Sequence, residues 1–194
     1  MNPSPTREAL LEAACALFYQ RGIHATSVDA ILEKAGVARQ SLYLHFVSKD
    51  GLIAEFLKVR DERWRGAMQR HIAGAEGPRN KLLAIFDFLA AWFAEPDFHG
   101  CAFINTAAEY ADPQHPFHLL SAQHKALVRE EILALCREAG LSEAEILAGH
   151  IALLIEGAIV TAQVTPGRHA ARQAQQIAEI LINRSQGGSY AHAR

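Results

Sequence analysis

The stretch TSVDAILEKAGVARQSLYLHFVSK, Thr26–Lys49, decides the fold. Val28, Ile31, Leu32 and Ala35 recur at i, i+3, i+4 and i+7, the spacing of one buried helix face. Gly36 follows at once and suits the left-handed turn that ends a helix. Val37 is apolar and plugs the corner. Ala38–Phe46 then reads as a second short helix, with Leu42 and Phe46 inward and Arg39, Gln40, Ser41, Leu44 and His45 outward. Two short helices joined by a tight glycine turn form the helix-turn-helix layout, whose second helix enters the DNA major groove.

The outward residues suit that task. Arg39 can bond guanine through two donors, and Gln40 can bond adenine in the same way. Ser41, Tyr43 and His45 are donors suited to phosphate oxygens. Ser48 is placed to cap the next helix, leaving free amides and Lys49 at its start, a phosphate-binding arrangement. Thr26 stands where the N-cap of the first helix of the pair belongs, with its hydroxyl within reach of a phosphate.

Outward from this stretch, residues Arg7 to Leu52 are similar to the DNA-binding domain of the TetR (tetracycline repressor) family. The resemblance rests on Ala14 to Phe18, Gly22, Thr26 to Val28, Ala35 to Val37, Leu42 to Phe46, and Ser48 with Lys49. It covers about a quarter of the chain, by residues in fixed order and spacing. It departs at Ala38, where the family often has Ser, and at Gln40, where glycine is frequent. A missing cap costs about 0.5–2 kcal/mol and loosens the recognition helix. Base preference cannot be copied from relatives. The resemblance implies a DNA-contacting set of Thr26, Ser27, Arg39, Gln40, Ser41, Tyr43, Leu44, His45 and Lys49. Periodicity alone would fit a generic helical hairpin with a solvated face; the ordered motif favours DNA.

Length and composition bound the rest. The chain has 194 residues, half of them hydrophobic, so a sizeable core is within reach. Net charge is −2, a poor footprint for a non-specific nucleic-acid coat. Opposite charges nearly balance in residues 1–50, so DNA affinity must come from placement and from two copies of the domain. Cys15, Cys101 and Cys136 are far apart and odd in number, which suits a reducing cytoplasm with buried thiols. Glu8 and Glu12 break the first apolar stretch, so it does not read as a signal peptide. Asp87 and Glu156 interrupt the most apolar later runs, so no membrane span is expected.

The pattern is all-α, with about nine helices and no strand alternation or internal repeat. A first helix, capped by Ser4 or Thr6 with Pro5 in its first turn, buries Leu10, Ala14, Leu17 and Phe18 and ends at Gly22. A long helix from Lys49 to about Ile72 follows the motif. Breaks at 73–78, 95–100 and 111–116 separate helices over about 78–94, 101–110 and 117–139. Ser142 with Glu145 reads as a capping box opening a helix to about Val164. The last helix spans about 168–183, and 186–194 reads as a disordered tail. The expected domains are 1–48 for DNA and 49–185 for a helical body.

The final two helices suggest an interface, because the first of them is apolar nearly all round. Ala148, Ile151, Ala152, Ile159 and Ala162 on one helix, with Ala174, Ile177, Ala178 and Leu181 on the other, suit a four-helix bundle across a two-fold axis. The TetR resemblance implies a homodimer through these helices, although one of them could equally be the body's own core. It also implies a small-molecule effector in the body. Aromatic and apolar residues that could line its cavity are Trp64, Phe86, Leu89, Trp92, Phe93, Phe103, Ile104, Ala107, Tyr110, Phe117, Leu120, Leu154 and Ile155, with His124 among polar residues that could orient it. Each, taken singly, also fits ordinary core. Effector binding would shift the long fourth helix and move two reading helices off their major-groove separation of about 34–36 Å.

His99, Cys101, His115, His118 and His124 cluster in sequence, but their spacing does not match a zinc site, and neither metal nor cofactor is expected. The remaining alternatives are a small helical enzyme using Glu109 or Glu156 in an apolar cavity, and a scaffold that has lost its DNA face. No nucleophile elbow, zinc-protease motif or phosphate loop supports the enzyme. The reading that results is a cytoplasmic, dimeric transcriptional regulator, released from a palindromic double-stranded DNA operator by an apolar or amphipathic ligand.

Overall fold

A computed structural model describes residues 4–165 and 169–186. The described residues form α-helices without strands: α1 (Pro5–Arg21), α2 (Val28–Ala35), α3 (Arg39–Phe46), α4 (Lys49–Ile72), α5 (Gly77–Phe93), α6 (Ala102–Glu109), α7 (Pro116–Glu138), α8 (Ala144–Val164) and α9 (His169–Gln186). They fall into two compact units. One comprises residues up to 63 with 102–122; the other comprises 64–101 with the residues from 123 onward. Both α4 and α7 therefore contribute to both units.

The first unit is built on the apolar stripes read from sequence. Leu10, Ala14, Leu17 and Phe18 of α1 are buried together with Ile31, Leu32, Leu42 and Phe46 of the helix pair. Leu52, Ile53, Phe56 and Leu57 close the core from α4, and the Phe18 and Phe56 rings meet at 5.4 Å. Each of the leucine, isoleucine and phenylalanine side chains among them contributes about 1.5–3 kcal/mol by burial. Gly51 permits the tight junction of α3 and α4, since a Cβ there would lie 2.1 Å from the Phe46 carbonyl oxygen. No α-helical periodicity signals that requirement.

In the second unit α8 packs on α9, and α5 packs on both. Its core holds Leu82, Ile85, Phe86 and Leu89 from α5, Leu147, Ile151 and Ile155 from α8, and Ala171, Ala178 and Ile182 from α9. Among the described residues α8 is long and apolar enough to cross a membrane by length and composition. In this fold it lies against α9 and α5, and its Glu156 pairs with Lys125 at 2.7 Å.

Three local expectations are corrected. Ser4 stands at the N-cap of α1 but makes no side-chain cap bond, and Thr6 lies inside the helix. Ser142 does not cap α8. Its hydroxyl donates to the Ser185 carbonyl at 2.7 Å, the Ser185 hydroxyl donates to the Ser142 carbonyl at 2.6 Å, and Glu145 pairs with Arg137 at 2.5 Å. Ser185 is thus a buried part of α9, which runs on to Gln186. The expected tail beyond 186 lies outside the described residues.

Candidate nucleic-acid interface

The helix pair is held by backbone chemistry that its sequence supplies. The Ser27 hydroxyl accepts from the Ala30 amide at 3.2 Å and caps α2. Gly36 takes the left-handed conformation, φ 66°, ψ 33°, and the Val37 amide reaches back to the Leu32 carbonyl at 3.2 Å. These bonds satisfy the last carbonyls of α2 and turn the chain sharply. Ala38 stands at the N-cap of α3 without a side-chain cap, as its identity requires. Leu42 and Phe46 then pin α3 to the core from behind.

The opposite side of α3 faces outward. Arg39, Gln40, Tyr43 and Leu44 are exposed, with Leu44 at 79%, while Ser41 and His45 are half-buried. An apolar side chain so open to water, set among hydrogen-bonding ones, suits contact with a thymine methyl in the groove. Arg39 bonds Asp29 of α2, and its pKa is raised, first by a hydrogen bond to Tyr43 and then by Asp29. An exposed ion pair of this kind contributes little, so the guanidinium is free to exchange Asp29 for a base edge. Val47, a β-branched residue at φ 66° and 79% exposed, ends α3 in a strained conformation beside this surface. Ser48 caps α4, its hydroxyl accepting from the Gly51 amide at 3.1 Å.

Two residues of the expected DNA set point elsewhere. Thr26 is 1% exposed; its hydroxyl donates to the Gly22 carbonyl at 2.7 Å, and the capping role falls to Ser27. A β-branched residue beside an apolar Ile23 is drawn inward, and its hydroxyl is then satisfied by the nearest carbonyl. Lys49 is also turned inward. Its ammonium donates to the Ile23 carbonyl at 2.8 Å and stands over the Phe18 ring.

The expected effector-lining residues divide between the units. Phe103, Ile104, Ala107, Tyr110, Phe117 and Leu120 belong to the first, where Tyr110 meets Phe117 at 5.1 Å. Trp64, Phe86, Leu89, Trp92, Phe93, His124, Leu154 and Ile155 belong to the second. There the Trp64 ring meets Phe88 at 5.2 Å, Trp92 at 5.6 Å and His124 at 5.5 Å, and its indole N–H is buried without an acceptor. Two cavities in this unit, of about 530 and 490 Å3, take in only Phe86 and Ile155 from the expected set. The carboxylates proposed for an enzyme are already bonded: Glu109 accepts from backbone amides and Glu156 from Lys125. Among the described residues no group of three or more His, Cys, Asp or Glu is placed to hold a metal ion.

Of the dimer residues read from sequence, Ala148, Ile151, Ile159, Ala174 and Ala178 are buried within the single chain, because α8 and α9 use those faces against each other and α5. Ala152, Ala162 and Leu181 are half-buried, and Ile177 is exposed. The open apolar stripe consists instead of Ile146, Leu153, Val160 and Val164 on α8, with Ile177 and Ile180 on α9. Helical spacing marks apolar positions but does not say which of two apolar faces the chain itself will cover.

Comparison with known proteins agrees with this geometry. Residues 10–56 match the family model of bacterial regulatory proteins of the TetR family. The HTH-type transcriptional repressor KstR2 of Mycolicibacterium smegmatis is 36% identical over 85 residues, which is 44% of this chain and 42% of that protein. The HTH-type transcriptional regulator AcrR of Shigella flexneri is 26% identical over 164 residues, covering 79% of this chain and 74% of its own. A TetR-family transcriptional regulator from Streptomyces coelicolor superposes with a TM-score of 0.88 at 27% identity, over 93% of this chain and 96% of that one. These are likenesses to regulators rather than to enzymes, and those to AcrR and to the Streptomyces coelicolor protein run from the helix pair through the helical body: residues 10–56 are a TetR-family DNA-binding domain, in a chain with the fold of TetR-family transcriptional regulators.

Proposed function

We propose that the protein is a cytoplasmic homodimeric repressor whose two α3 helices hold a palindromic DNA operator and release it when a small apolar or amphipathic molecule enters the helical body. The observation that carries the reading is the division of α3 itself. Leu42 and Phe46 are buried, while Arg39, Gln40, Tyr43 and Leu44 stand open to the groove. The open apolar stripe on α8 and α9 supports a second copy, since six large apolar side chains on two adjacent helices make a patch that associating proteins bury. The buried Trp64 indole N–H, lacking an acceptor, supports a ligand that brings a carbonyl or hydroxyl to the cluster of Phe88, Trp92 and His124.

The test is selection of fragments from the source genome by the purified full chain, followed by gel shifts on the winners. A two-fold-symmetric motif is expected, with half-site centres about 34–36 Å apart. Affinity should fall steeply as salt rises, because phosphate contacts release counterions. A panel of apolar and amphipathic compounds should contain one that lowers affinity about 5–150-fold. Absence of any enriched motif overturns the DNA reading, and an enriched motif that no compound affects overturns the sensor reading.

A further inference from the structure

We propose that Glu109, at the end of α6, is the positioning residue that holds the corner between α1 and α2 in the shape that presents α3 to DNA; this rests on the DNA-binding reading above. The corner is only Gly22, Ile23 and His24 deep before Ala25 and Thr26 lead into α2. The Ile23 amide donates to Glu109 Oε1 at 2.9 Å, and the His24 amide donates to Oε2 at 2.6 Å. The Ile23 carbonyl in turn accepts from Lys49 Nζ at 2.8 Å. One carboxylate and one ammonium, brought from α6 and α4, therefore hold both sides of a single residue. Ile23 is itself 1% exposed, so the corner is pinned by its side chain as well.

The geometry around this clamp is made for it. Gly22 has φ 87°, and a Cβ there would lie 3.0 Å from Glu109 Oε1, so glycine leaves room for the carboxylate. Two successive amides converging on one anion form a small nest, and charge-assisted bonds of this kind are the stronger ones. The next residue, Tyr110, lays its ring on His24 at 4.7 Å and stacks on His115 at 4.4 Å. The Tyr110 carbonyl meets His118 Nδ1 at 2.9 Å. The end of α6 is thus braced from behind while its carboxylate grips in front. A shift of α6 removes the acceptor from both amides at once and frees the corner from which α2 and α3 hang.

Glu109→Ala and Glu109→Gln in the full-length protein test this, by amide hydrogen exchange at Ile23 and His24 and by affinity for a promoter fragment selected with the unaltered protein. The alanine variant should speed exchange at the two amides about tenfold and weaken DNA binding about tenfold, within the 5–150-fold span typical of coupled parts. Glutamine keeps one oxygen acceptor and should fall between. Protection in α8 and α9 should stay unchanged in both. The proposal is overturned if the two amides exchange as before, if affinity stays within about twofold despite faster exchange, or if protection falls equally throughout the molecule. Should the unaltered protein bind no fragment, it is the DNA-binding reading that fails, and exchange alone decides whether Glu109 holds the corner.

Discussion

Arg39 and Lys49 are both cations of the first unit, yet the structure gives them different work. Arg39 lies in the open with only an exposed carboxylate and Tyr43 beside it, whereas Lys49 is tied to a backbone carbonyl under the helix pair. Arg39→Ala and Gln40→Ala are expected to relax base preference, lowering affinity for the best site about tenfold while leaving the melting temperature unchanged. Lys49→Met is expected to lower the melting temperature by several degrees, since it removes a hydrogen bond from a charged donor to the Ile23 carbonyl, worth about 1.5–3 kcal/mol. Competition binding against base-substituted sites, run beside thermal unfolding, separates the two. Arg39, Gln40 and Leu44 were legible as outward because helical phase fixes them, whereas Ser41 and His45, read as outward too, are half-buried. The inward turn of Lys49 and Thr26 was not legible, because it depends on carbonyls made available by folding.

The thiols give a second prediction for single side chains. Burial pushes both Cys15 and Cys136 up to about 11 from an ordinary 9.0. The folded chain then holds those protons more tightly than the unfolded one. Stability from this source is complete below about pH 9 and is lost as pH rises to about 11. Urea midpoints measured across that interval should fall, and Cys136→Ala should flatten part of the decline.

Among the helices, starts and stops followed local chemistry closely. Pro5 in the first turn of α1, Gly22 after it, Gly36 after α2 and Ser48 before α4 all stand where a sequence of that composition places them. The starts of α1 and α8 broke the rule: Ser4 stands at the N-cap of α1 without a side-chain bond. Ser142 and Glu145 have the spacing of a reciprocal cap, but Ser142 finds a partner in Ser185 and Glu145 finds Arg137. A local motif yields when a distant residue offers a better bond. The same limit hid the place of α6. Nothing within Ala102–Glu109 says that it packs with the N-terminal helices, because Glu109 and Ile23 are 86 positions apart.

For the molecule as a whole, the expectation of an interface rested on the apolar content of α8 and α9, and the chain spends one face of each helix on itself. The proposed second copy must use what remains. Leu153→Glu and Val164→Glu, at positions 71% and 74% exposed, should leave helix content intact and convert a dimer to a monomer in light scattering. Ala148→Ser, buried at 0%, should instead lower stability without that change in mass. A dimer indifferent to both glutamates would place the contact elsewhere. Finally, the reciprocal hydroxyl bonds of Ser142 and Ser185 make the closing turn of the last helix a clasp rather than a loose end. A truncation or fusion that ends the chain at 184 would remove Ser185 and unfasten the corner where the seventh and eighth helices meet.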